Sequence, residues 1–177
     1  MQIDLDTILA KVTPGPLEVV IRGHTYKARE LTVADVVMLA SIEGLSNDEV
    51  DGFYRSVFGP TMPLLDATAA AYAERSAAVA AAKEYIGDAV AADDSVQALC
   101  AAVLQRDRGS VAQVLVRSLG AADRGAELVD LEMASLLSAL TLYAKEGHNL
   151  GKRLARVMEA MREQIAAAMA PSTSSST

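Results

Sequence analysis

The chain has 177 residues, with 16 Lys and Arg against 23 Asp and Glu, giving a formal net charge of −7 and a pI of about 4.8. That balance argues against nucleic-acid binding through a basic face, because neutralising phosphates needs clustered Lys and Arg. No run approaches the ~18 apolar residues of a membrane span, and a single cysteine, Cys100, excludes an internal disulfide and fits a reducing compartment.

Hydrophobic residues make up 51% of the chain, but aromatics only 4%, with no Trp, and 33 residues are alanine. A buried Ala contributes far less apolar area than a Leu or Phe, and Ala has the highest helix propensity. The expectation is a mainly α protein, a helical bundle with small side chains at its contacts and a small N-terminal β-hairpin. Its parts would be an N-terminal arm, hairpin and short helices over 1–60, an alanine-rich helical body over 61–170, and a disordered polar tail over 171–177.

In chain order, "MQIDLDTILAKV" has two early acids and no basic leader, so it reads as an arm rather than a signal peptide. It would be a short helix or an edge strand, set apart by "TPGP". Residues 17–30 predict a hairpin with Gly23-His24 as a type II′ turn. That register pairs Ile21 with Tyr26 and Val19 with Ala28 on one face, and sets Glu18 opposite Arg29. A helix follows, with Thr32 as N-cap, Asp35 as capping-box partner, and Leu31 and Val36 as a hydrophobic staple. Val33, Val36, Val37 and Ala40 form its apolar stripe, and it ends near Gly44. The hairpin, too small to fold alone, would pack its Val19, Ile21 and Tyr26 face on this helix.

Ser46 predicts the start of a helix over Asn47–Phe58, and "FGPTMP" breaks the chain. Beyond it there is no strand signal. Long helix 64–86 is followed by an interruption, "GDAVAADDS", and by a helix over Val96–Arg106. Ser110 begins a short helix stopping at Gly120, "GAADRG" reads as a loop, and Glu127–Glu146 is a helix apolar on most sides and therefore central. Leu150–Met169 is an amphipathic helix striped by Leu150, Leu154, Val157, Met158, Met161, Ile165 and Met169. Three of these are Met, a side chain that adapts to differing partners.

Catalytic and metal chemistry finds little support. His24 and His148 stand outside any metal-ligand spacing. "NDEVDG" resembles a calcium loop faintly, through Asn47, Glu49, Asp51 and Gly52, but its twelfth position is Phe58 rather than a bidentate Glu. Nucleotide-binding and nucleophile-elbow motifs are absent. Cys100 has no basic neighbour to lower its pKa, and Asp93 and Asp94 read as loop and cap residues. The helix–turn–helix outline of 110–140 carries Glu127, Asp130 and Glu132 where a recognition helix would meet phosphate. The basic trio Lys152, Arg153 and Arg156 is followed by Glu159 and Glu163. The expectation is no enzyme, no cofactor and no metal site in a soluble cytoplasmic protein.

The stretch "V-x-I-R-G-x-x-Y-x-x-R-E-L-T-V-x-D", carried by Val19, Ile21, Gly23, Tyr26, Arg29, Glu30, Leu31, Thr32 and Asp35, resembles the tail assembly chaperones of long-tailed bacteriophages. The resemblance covers about 25 residues. It implies a non-enzymatic protein of the host cytoplasm that binds the helical tape-measure protein, helps recruit tail-tube subunits and is absent from the finished particle. In many phages such proteins also have a frameshifted longer form. The alternative is a structural particle subunit, a connector or tail component. The partners expected are tape-measure and tail-tube proteins, with no nucleic acid and no membrane, and with a homo-oligomer left open. The residues assigned to the client surface are Leu154, Met158, Met161 and Ile165.

Overall fold

The computed structural model describes residues 15–87, 95–147 and 150–169, excluding the side chains of 150–154, 168 and 169. The arm before Gly15, Asp93 and Asp94, His148 and the tail over 171–177 therefore lie outside the described residues. A two-stranded antiparallel hairpin, β1 (Glu18–Ile21) and β2 (His24–Lys27), precedes six helices. These are α1 (Val33–Ala40), α2 (Asn47–Phe58), α3 (Pro63–Ile86), α4 (Val96–Arg106), α5 (Ser110–Gly147) and α6 (Leu150–Met169).

The hairpin turns one residue earlier than Gly23-His24. Glu18 pairs with Lys27, Val19 with Tyr26, Val20 with Thr25 and Ile21 with His24, so the turn is Arg22-Gly23. Both turn residues have positive φ, 50° and 77°, as a type I′ turn requires. A left-handed arginine costs about 1–2 kcal/mol, and two contacts favour it. Arg22 Nε reaches Glu132 Oε1 on α5 at 2.8 Å, and Lys27, not Arg29, pairs with Glu18 at 2.7 Å. The new register keeps the same residues on each face. Tyr26 and Ala28 are buried as expected, with Val19 and Ile21 partly covered beside them.

The α1 capping box forms. Asp35 N–H donates to Thr32 Oγ1 (3.2 Å) and Thr32 N–H donates to Asp35 Oδ2 (2.7 Å). The staple residue Leu31 is buried. The helix stops at Ala40, and a single 3-10 turn, Ile42–Gly44, completes the descent to Gly44. Of the expected apolar stripe only Val36 packs on the core; Val33 is 71% exposed and Val37 62%, while Asp35 and Leu39 are buried. Asp35 is the cause. It is drawn inward by Arg29, Leu39 lies one turn on along the same face, and Val33 and Val37, two residues to either side, point outward.

Helix α2 begins and ends where the sequence predicts. Glu49 Oε2 accepts hydrogen bonds from Ser46 N–H (2.8 Å) and Oγ–H (2.7 Å), and Gly59 (φ 107°) ends the helix. The turn to α3 is pinned by Arg55, which donates to Pro60 O (2.7 Å) and to Asp66 Oδ1 (3.0 Å). Pro63 opens α3, where its missing N–H costs nothing.

The largest departure is α5, one unbroken helix of 38 residues in place of two helices and a loop. Gly120 and Gly125 lie inside it. A helix interior tolerates glycine at about 1 kcal/mol each, and the surrounding contacts offset that loss. Leu119, Ala122, Ala126 and Val129 are buried, and Asp123, in the middle of the expected loop, accepts from Arg75 Nε at 2.7 Å. About two turns further along α5, Tyr72 donates to Asp130 (2.8 and 2.9 Å).

Two hydrophobic clusters share α5. The first joins Tyr26, Leu31, Leu39, Phe53, Tyr54, Val57, Met62, Leu64 and Leu65 to Leu136, Leu140 and Ala144. The second joins Ala78, Ala82 and Ile86 of α3, Val96, Leu99 and Val103 of α4, and Ala112, Leu119 and Ala122 of α5.

Candidate functional site

Arg29, Thr32 and Asp35 form a clamp with Ser56 of α2. Arg29 grips Asp35 bidentately, Nη1 to Oδ2 at 2.7 Å and Nη2 to Oδ1 at 2.9 Å. Its remaining donors reach Ser56 O and Oγ on α2, both at 2.9 Å, and Glu30 O at 3.0 Å. The Arg29 N–H donates to Val57 O at 3.0 Å. One guanidinium thus ties the exit of the hairpin to the start of α1 and the end of α2. Arg29 holds the Asp35 carboxyl far below the usual carboxylate range, helped by donors from Thr32 and opposed by burial. Each Asp35 oxygen accepts a hydrogen bond, so this buried charge is satisfied within the chain. The tightly written opening stretch positions the hairpin on the helical body, and the Tyr26 ring locks it there edge-on against Phe58, 6.2 Å between centroids.

The residues expected to bind a client lie on α6. Met158 is 50% exposed, Met161 and Ile165 are half-buried, and the side chain of Leu154 lies outside the described residues. Ala160 is buried, so the covered face of the described part of α6 runs through Ala160 and Met161. Met158 sits at its open margin.

A second apolar surface lies on α5, opposite the face that builds the core. Leu128 is 49% exposed, Leu131 67% and Leu142 64%; Ala134, Ser135 and Ser138 between them are also exposed. The hydroxyls on this face are already satisfied by their own helix. Ser135 donates to Leu131 O (2.8 Å), Ser138 to Ala134 O (2.8 Å) and Thr141 to Leu137 O (2.9 Å). Glu132, the one acid within 131–144, is folded toward Arg22, and its Oε2 is buried with no hydrogen bond. The sequence did contain the signal: apolar or small residues at 128, 131, 135, 138 and 142, spaced by threes and fours. The same segment also carries the core stripe Val129, Leu136, Leu140 and Ala144, which masks the outward one in the sequence.

Among the described residues no group of His, Cys, Asp or Glu is arranged to hold a metal ion. Asn47, Glu49 and Asp51 are helical, in the first turns of α2. The Cys100 thiol is partly buried, and burial, then the nearby Asp123 charge, push its pKa up, away from a reactive thiolate. His24 is exposed beside the hairpin turn. One open groove of about 350 Å³ is polar, lined by Tyr72, Arg75, Asp123 and Asp130, the residues that bridge α3 to α5; another, of about 500 Å³, is more apolar and lies between α2, α3 and α5 beside Val50, Leu65, Ala69 and Met133. No described helix is long and apolar enough to cross a membrane. Compared with family models, curated proteins and solved structures, the chain matches none of them.

The two surfaces differ in what they can do. The α6 margin offers flexible Met side chains on a helix whose apolar stripe is already partly covered. The α5 face offers branched Leu side chains on a helix held in place along its length by both clusters.

Proposed function

We propose that this protein is a phage tail assembly chaperone, a non-enzymatic protein that binds the tape-measure protein and helps bring tail-tube subunits to it. The observation that carries the reading is the pairing of an acidic chain, net charge −7, with a helix, α6, that exposes the large apolar side chain of Met158 beside the half-buried Met161 and Ile165. A tape-measure protein presents long apolar helical faces. A strongly acidic cover with adaptable Met side chains would bind such a face and keep the complex soluble. The clamp built from the family-like residues supports the same reading, because it makes the hairpin a fixed part of the body.

The client surface is assigned to α6, with Leu154, Met158, Met161 and Ile165. The test is to tag the protein in its phage-producing cell and identify by mass spectrometry what co-purifies. Recovery of a very long helical protein, with the tagged chain missing from mature particles, supports the chaperone. Recovery at fixed copy number inside particles supports a connector or tail subunit instead. Met158→Glu, at an exposed site, is expected to abolish client recovery with the fold intact; unchanged recovery would move the client surface off α6.

A further inference from the structure

We propose that the outward face of α5 from Leu128 to Leu142 is a homodimer interface, closed by an antiparallel second copy of the same helix. The inference stands apart from the chaperone reading. It rests on the chemistry and symmetry of this face. Between Leu128 and Leu142 the outward positions hold Leu, Ala, Ser and Thr, apart from Asp130, which accepts from Tyr72 of α3 at the margin of the face; Glu132 is taken up by Arg22. Its hydroxyls donate to carbonyls of their own helix, so burying them leaves no donor unmade and adds little desolvation cost.

The charges at the two ends choose the occupant. Arg124, Glu127, Lys145 and Glu146 are all exposed, and among the described residues none has an ion-pair partner. In an antiparallel pair centred on Ser135, position 135 − n lies level with position 135 + n of the second copy. Leu128 then meets Leu142 (135 − 7 and 135 + 7), and Arg124 meets Glu146 (135 − 11 and 135 + 11). Glu127 and Lys145 are 145 − 127 = 18 residues apart, about five helical turns, so they share one flank. In the antiparallel pair Glu127 is level with position 143 of the second copy, two residues or about 3 Å from Lys145, within reach of that long side chain. Two-fold symmetry repeats every contact, giving four intermolecular ion pairs around a Leu seam about 21 Å long. A parallel pair would set Arg124 against Arg124, which is repulsive, and would separate the Glu127 and Lys145 flanks of the two copies. A self-complementary patch of this kind is what a two-fold interface requires.

The decisive experiment is sedimentation velocity on the full chain over a hundredfold concentration range. A reversible monomer–dimer equilibrium is expected. Leu131→Glu with Leu142→Glu should weaken it by about a hundredfold or more, because like charges are forced together in a desolvated patch. Both sites are exposed, so the thermal transition should not move. Arg124→Glu and Glu146→Arg should each weaken the dimer, and the two together should restore it. For geometry, Ser135→Cys in a Cys100→Ala background should cross-link into a dimer on oxidation, while Ser118→Cys should not. A chain that stays monomeric throughout overturns the proposal. So does a dimer indifferent to the two Glu substitutions, or equal cross-linking through Ser118→Cys and Ser135→Cys.

Discussion

The two hydrophobic clusters solve the same problem with opposite materials. The first uses large side chains, three of them aromatic rings stacked or edge-on, Tyr26, Tyr54 and Phe58, and trims its polar groups with capping boxes and the Arg29–Asp35 clamp. The second uses Ala78, Ala82, Ala112 and Ala122 where helices meet, with a few Leu, Val and Ile between them. Its polar contacts sit at the rim: Arg75 with Asp123, and Arg106 with Ile86 O and over the Tyr85 ring. A cluster of large side chains gains its stability from the area each one buries. An alanine cluster gains it from how closely the backbones approach, so it has little to lose by truncation and much to lose by enlargement.

That contrast can be broken from either side. The largest effect is expected in the first cluster. Leu140→Ala removes a fully buried side chain and should cost about 2–5 kcal/mol in denaturant unfolding. Asp35→Ala strands Arg29 beside two unfilled carboxylate sites. With the guanidinium 40% exposed, water recovers part of the loss, and about 3 kcal/mol is expected. The second cluster should show the reverse sensitivity: Ala122→Leu overfills the α3–α5 contact and should cost about 1–3 kcal/mol, where an Ala at a large-residue site of the first cluster would be the damaging change.

The smallest effect sharpens the comparison within α5. The Cβ of Gly125→Ala meets nothing within 4 Å, and that of Gly120→Ala meets only the Arg124 guanidinium at 3.6 Å. In a continuous helix each substitution should raise stability by about 0.5–1 kcal/mol; a loss at both positions would mean that the segment is a loop. The clamp also has an acid signature. Because Arg29 depresses the folded Asp35 pKa, its contribution is complete above the unfolded value of about 3.9 and is lost as pH falls toward the folded one. The stability gap between the native chain and Asp35→Asn should therefore be flat at neutral pH and shrink below about pH 4.

What could be read from the sequence was what local chemistry decides. Ser46 as a cap, Thr32 with Asp35, and the bounds of α2 and α4 follow from residues within one turn of each helix end. What could not be read was decided by distant partners. Arg22 adopts a left-handed conformation next to Glu132, 110 positions away, and the register follows it. Gly120 and Gly125 are ordinary loop signals that α3 overrules by packing along the helix through them. Of the surfaces, the apolarity of residues 128–142 was legible, but its division into a core face and an outward face was not. That division depends on where α3 and the hairpin sit.

The long reach of α5 also sets an order of assembly as the chain leaves the ribosome. The alanine cluster draws on residues 78–122, a local stretch that can close as soon as the first half of α5 has emerged. The aromatic cluster begins with Tyr26 but is completed by Leu136 and Leu140, and the loop it closes spans more than half the chain. Non-local closure of this kind is slow, and the partial state waits with its apolar surface uncovered. The hairpin thus depends on core partners made more than a hundred residues later, whereas the Arg29–Asp35 clamp needs only residues 29–57 to tie its exit to the first two helices.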